Sequence, residues 1–81
     1  MAAITPAVTP LKKLREARKI RQSDVAEAVG IDQGALSKIE AGAHAPRKET
    51  ALALAKYFGS AITIEQIIYP EKFEDYEVAR R

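Results

Sequence analysis

QSDVAEAVGIDQGALSKIEAG, residues 22–42, is the stretch on which the fold turns. It reads as two short helices meeting at a tight turn. Val25, Ala26 and Val29 recur at helical spacing on the first, and Leu36 and Ile39 on the second. Ala26 is small where two helices must cross closely. Gly30 stands where the first helix ends, and the residue just past a helix C-terminus favours positive φ, which glycine adopts without steric cost. Asp32 is then placed to cap the second helix, its carboxylate accepting from the free backbone N–H groups of the first turn.

Two helices joined by a glycine turn at about 90–120° make a helix-turn-helix, and the second helix of that motif lies in the DNA major groove. Gln33, Gly34, Ser37 and Lys38 point away from the Leu36/Ile39 face, so they are the candidates for contact with base edges. A glutamine reads adenine bidentately through N6 and N7. Gly34 has no side chain to read with. It permits close approach or leaves its base pair to shape readout, at a cost of up to about 1 kcal/mol of helix stability relative to alanine. Lys38, one turn on from Gly34, reaches guanine O6/N7 or a phosphate, and Ser37 can contact either.

The pattern Gln22, Ala26, Gly30, Ile31, Leu36, Ile39, Glu40, Gly42 resembles the Xre/Cro-type helix-turn-helix, the lambda-repressor-like DNA-binding domains, over roughly residues 11–68. The resemblance implies an all-α, compact five-helix lambda-repressor-like fold that binds double-stranded DNA. It implies that Gln22, at a helix N-terminus, contacts a phosphate and braces Gln33; helix N-termini attract anions and a glutamine amide both donates and accepts. Lys12, Lys13, Arg18, Lys19 and Arg21 read as a phosphate-facing rim or as a solvated helix face, and the resemblance favours the rim because it places the end of the first helix near the DNA backbone. It pairs Arg15 with Glu40 as a structural tie between the first helix and the end of the third, and sends Arg47 to the minor groove or a dimer interface. One position departs from the pattern: where the family often has Ser or Thr before the glutamine as N-cap, this chain has Arg21, so the cap is missing or moved.

The residues themselves place Arg15 four after Leu11 and Glu40 four after Leu36, each at the edge of an apolar face. A buried tie and two independent surface charges are both compatible with that spacing. The energies differ, since removing one partner of a buried pair costs about 3–5 kcal/mol whereas an exposed pair is worth about 0–1 kcal/mol.

Eighty-one residues make one small domain with little room for a deep catalytic cleft. The net charge of +2 divides unevenly: residues 1–48 carry nine basic and five acidic side chains, residues 49–81 four basic and six acidic. A basic half suits a face turned to phosphates, though ordinary surface charge reads the same way. The absence of cysteine removes disulfides, thiolate zinc sites and cysteine nucleophiles, and fits a reducing cytoplasm. No apolar run spans a bilayer and MAAITPAVTP lacks a secretion signal's basic start and apolar core, so a cytoplasmic protein is expected.

Residues 1–10 read as a flexible N-terminal arm, because Pro6 and Pro10 disfavour helix before them. The helix-turn-helix domain is expected over 11–69 and a tail over 70–81. Leu11, Leu14 and Ala17 make the buried stripe of a first helix ending near Lys19, with Ile20 anchoring the exit. The third helix is expected from about Gln33 to Ala41, closed by Gly42. In the loop that follows, His44 is a phosphate candidate or simply exposed, and Lys48 is a phosphate candidate. A fourth helix over about Arg47–Phe58 carries Ala51, Leu52, Leu54, Ala55 and Phe58 and stops at Gly59. Thr63-Ile64-Glu65-Gln66 is a capping box for a fifth helix. Ile62, Ile64, Ile67, Ile68 and Tyr69 exceed what so short an element needs to bury. They form a dimer patch, as the corresponding region does in many relatives, or finish the core. The acidic tail with Phe73 and Tyr76 folds over that patch, crosses to a partner subunit, or stays disordered.

No Gly-rich phosphate loop, metal-spaced His/Asp/Glu cluster or serine with a neighbouring base is present, so no enzyme, metal, cofactor or small-molecule ligand is expected. The expectation is a sequence-specific regulator: a homodimeric repressor on a palindromic operator, similar to phage or prophage Cro-like proteins. An autoregulatory antitoxin is the alternative within DNA binding. A protein-interaction adapter using the same fold is the alternative outside it, weakly favoured by Gly34 and the lost cap.

Overall fold

A computed structural model describes residues 9–73 and Tyr76. Five α-helices follow one another: α1 (Pro10–Ala17), α2 (Gln22–Val29), α3 (Gln33–Glu40), α4 (Lys48–Phe58) and α5 (Ile64–Ile68), with short 3₁₀ turns at Gly59–Ala61 and Pro70–Lys72. No strand occurs among the described residues. The all-α, five-helix architecture is therefore the one the resemblance implies.

Helix boundaries follow local chemistry. Thr9 opens α1: its hydroxyl accepts from the Lys12 amide, and Pro10 at the first position has no N–H to leave unsatisfied. Thr9 and Pro10 are buried, and the Thr9 hydroxyl donates to the Glu40 carbonyl at 2.7 Å. These two residues are thus part of the folded domain and not of the arm expected over 1–10. The remainder of that arm, 1–8, lies outside the described residues. The capping box of α5 is complete: the Thr63 hydroxyl accepts from the Gln66 amide at 3.2 Å, and the Gln66 side-chain oxygen accepts from the Thr63 amide at 2.9 Å.

One expected cap is not made, and one expected to be missing or moved makes no side-chain bond at its N-cap position. Asp32 occupies the N-cap position of α3 in extended conformation, yet its carboxylate makes no capping hydrogen bond. Arg21 likewise precedes α2 without a side-chain cap.

Three helices end in the same way. After α2, the amides of Gly30 and Ile31 turn back to the carbonyls of Glu27 and Ala26, with Gly30 at φ +79°. After α3, Gly42 and Ala43 return to Ile39 and Lys38. After α1, Lys19 and Ile20 return to Glu16 and Arg15, with Lys19 at φ +57°. Each is a Schellman closure, which needs a left-handed residue just past the helix; the first helix makes it without a glycine.

The core is built from Leu11 and Leu14 of α1, Val25 and Ala26 of α2, Leu36 and Ile39 of α3, Ala51, Leu54 and Phe58 of α4, and Ile62 and Ile67. Helix α2 packs on α3 and α4, and α5 packs on α1 and α4. Ala17, expected in the α1 stripe, is exposed; the helix is in its last turn there, and buried Thr9 and Pro10 take up its other end. Ile62 and Ile67, two of the five residues considered for a dimer patch, are core residues at 3% exposure each. Ile64 and Ile68 are half-buried against that core, and Tyr69 is exposed. The surplus of apolar residues around α5 therefore goes in large part to closing the core.

Candidate nucleic-acid interface

The face of α3 opposite Leu36 and Ile39 is open. Gln33, Gly34, Ser37 and Lys38 are all exposed. A Cβ added at Gly34 would meet nothing within 4 Å. The backbone there is ordinary helix, so nothing inside the domain requires a glycine.

Behind the first turn of this face stands a chain of polar contacts that begins in the interior. Glu40 is 2% exposed. Its two oxygens accept from Arg15, Oε2 from Nε at 2.6 Å and Oε1 from Nη2 at 3.0 Å, a forked pair. Arg15 Nη1 donates to the Ile20 carbonyl at 2.8 Å, which ties the pair to the exit of α1. The hydrogen bond to Glu40 pushes the Arg15 guanidinium above its ordinary range, although burial acts the other way. Glu40 Oε1 also accepts from Gln22 Nε2 at 3.0 Å, and Gln22 Oε1 accepts from Gln33 Nε2 at 3.3 Å. The buried tie, the residue at the start of α2 and the first exposed residue of α3 thus form one connected network. Among the described residues, no buried side-chain polar atom is left without a partner.

The basic residues divide into groups. Arg47 and Lys48 are exposed at the N-terminus of α4, and His44 is exposed in the loop leading to it. Arg21 is exposed beside α2 and holds Asp24 at 3.1 Å in a pair open to solvent, which a phosphate can compete for. Lys12 is half-buried in the first turn of α1, and Lys19 is exposed just past its end. Arg18 differs: its guanidinium lies 5.7 Å from the centroid of the Phe58 ring, and Nη1 reaches the Phe58 carbonyl at 3.5 Å. That is the C-terminal end of α4, on the order of 15 Å of helix away from Arg47. Arg18 is accordingly tied to the C-terminal end of α4.

Three contacts were not read from the sequence: Thr9 with Glu40, Gln22 with Glu40, and Tyr76 with Ala61 and Lys13. Thr9 was visible in principle, because Thr-Pro is a helix-start signature. Gln22 and Glu40 have no periodicity that announces contact with each other. Tyr76 returns to the domain: its hydroxyl donates to the Ala61 carbonyl at 2.9 Å, and its own carbonyl accepts from Lys13 Nζ at 3.0 Å. Among the described residues there is no group of three acidic, histidine or cysteine side chains able to hold a metal ion. Among the described residues no helix is long and apolar enough to cross a membrane.

A family model described as helix-turn-helix matches residues 11–64. The chain belongs to the helix-turn-helix family. No curated protein and no solved structure matches it. As a helix-turn-helix protein with the lambda-repressor-like all-α fold, it is a DNA-binding regulator, and its motif is α2–turn–α3 with Gly30 at the corner. The matched segment stops at Ile64, at the start of α5; α5 packs on α1 and α4, and Tyr76 bonds to the Ala61 carbonyl.

Proposed function

We propose that this helix-turn-helix protein is a sequence-specific repressor that binds a palindromic operator as a homodimer, in the manner of phage or prophage Cro-like regulators. Helix α3 enters the major groove, with Gln33, Ser37 and Lys38 at base edges and the Gly34 backbone close to the DNA. The observation that carries the reading is the open polar face of α3 whose first residue is held by Gln22, itself held by a buried ion pair. A surface glutamine tethered in this way loses little freedom on binding, which suits a base reader. Gln22, Arg21, Lys12, Lys19, His44, Arg47 and Lys48 supply phosphate or minor-groove contacts. The exposed Tyr69 with the outer edges of Ile64 and Ile68 forms the dimer contact, a smaller patch than the five residues in the sequence suggest.

Two-fold symmetry sets the half-sites about one helical turn, roughly 34 Å, apart. Selection of bound sequences from a random duplex library tests the proposal. An inverted repeat is expected. Gln33→Ala degrades it at one symmetric position, whereas Lys12→Ala weakens all sequences alike. Absence of any enrichment at low salt would remove DNA readout by α3.

A further inference from the structure

The direction of the hydrogen bonds behind Gln33 carries information beyond the fact that it is held. A glutamine amide has one accepting end and one donating end, and which end faces outward decides which base it matches. Here neither amide is free to choose. Glu40 accepts from Arg15 through both oxygens, and a carboxylate has no proton to give. Gln22 must therefore present Nε2 to it, because the reversed amide would set two acceptors 3.0 Å apart. That turns Gln22 Oε1 towards Gln33, which must answer with its own Nε2 at 3.3 Å. One N–H of Gln33 is used, and its Oε1 and second N–H are left facing outward. One acceptor beside one donor matches adenine, which offers the N6 amino group and N7, and not guanine, which offers two acceptors.

We propose that Glu40 is a positioning residue for specificity: through Gln22 it sets the direction of the Gln33 amide and so selects adenine over guanine at the base pair Gln33 reads. The proposal rests on Gln33 being a base reader. Glu40 is buried and touches no base, so its influence on sequence choice passes only through the two amides.

Glu40→Gln tests this, since it preserves shape and changes polarity. The new amide keeps its oxygen where the Arg15 contact is shortest, 2.6 Å at the Oε2 position, and so places its NH₂ at the Oε1 position. Gln22 then turns its oxygen to that NH₂, and Gln33 turns its oxygen inward and exposes two N–H donors, the complement of guanine. Random-library selection is run on wild type, Gln33→Ala, Glu40→Gln and Gln22→Met, with folding followed by circular dichroism. Wild type is expected to take adenine at the one symmetric position that Gln33→Ala degrades. Glu40→Gln is expected to lower the adenine-to-guanine ratio there about tenfold or more, within the range of one bidentate contact, while the other positions keep their preferences. A purely structural role for Glu40 would weaken all positions together and leave that ratio unchanged, which overturns the proposal with the reader intact. Guanine in the wild-type site at that position overturns it too. If Gln33→Ala degrades no position, the underlying assignment of the reader fails, and the proposal with it. Should Glu40→Gln not fold, Gln22→Met decides: it breaks the relay and leaves the ion pair, so loss of the adenine preference at that position supports the proposal and its retention overturns it.

Discussion

Lys19 closes α1 in a left-handed conformation, φ +57°, that costs a residue with a Cβ roughly 1–2 kcal/mol. The two equivalent closures, after α2 and α3, use Gly30 and Gly42. Lys19→Gly is therefore expected to raise stability by about 1 kcal/mol, less the extra entropy a glycine loses on folding. Urea denaturation would show it as a higher midpoint with an unchanged slope; a lower midpoint would mean that the lysine side chain contributes more than its backbone costs. Gly34 presents the opposite case. Its φ is ordinary and a Cβ meets nothing, so Gly34→Ala should stabilise the free protein by about 0.5–1 kcal/mol. The same substitution should weaken operator binding if the α3 backbone approaches the DNA closely. Unchanged affinity in a gel-shift titration would discard the close approach.

At the scale of elements, the Arg15–Glu40 pair binds α1 to the end of α3. Arg15 and Glu40 side chains are 12% and 2% exposed, so each removed alone leaves the other's charge buried. Arg15→Ala or Glu40→Ala is expected to cost about 3–5 kcal/mol, a large share of the stability of so small a domain. The double replacement should cost much less than the sum of the two. Additive losses in a thermal-denaturation cycle would argue against a coupled pair. A second link joins the C-terminal segment to the domain through Tyr76. Burial raises the Tyr76 phenol above its ordinary value of about 10, partly offset by Arg18. The neutral form is the one the fold favours, so this contribution is fully present below the ordinary value and is lost as pH rises from there through the raised value of the folded state. Ionisation also removes the proton donated to Ala61. Between pH 9 and pH 11 wild type should lose more thermal stability than Tyr76→Phe, which begins about 0.5–1.5 kcal/mol weaker. Equal losses would argue against the Tyr76 link.

For the whole molecule, the distribution of charge decides the response to salt. Exposed basic groups stand at the start of α4, in the preceding loop and beside α2, while Gln33 and Gly34 on α3 carry no charge. Operator affinity should fall steeply between low and physiological salt, with a log–log slope near −0.9 for each phosphate neutralised. A flat dependence in fluorescence-anisotropy titrations would favour the protein-adapter alternative. Arg18 lies at Phe58, the end of α4 opposite Arg47. Arg18→Ala is expected to leave the slope unchanged, while Arg47→Ala reduces it by about one.

What local pattern determines could be read from the chain alone: the apolar stripes of the first helices, the corner at Gly30, the fifth helix from the capping box at Thr63, the outward set Gln33, Gly34, Ser37 and Lys38, and Arg15 and Glu40 at the margins of apolar stripes. These depend on neighbours within one or two turns. Tertiary structure alone decided the rest, because each case needs a partner far along the chain. Thr9 reaches Glu40 across 31 residues, and Lys13 reaches Tyr76 across 63. Arg18 is drawn to the Phe58 ring by a helix packing that spacing does not express. Ile62 and Ile67 enter the core because α5 lands on α1 and α4; composition could only count them as surplus. The direction of the Gln22 and Gln33 amides belongs to the same class, since a side chain's polarity is set by what it meets, and only the folded chain brings Glu40 there.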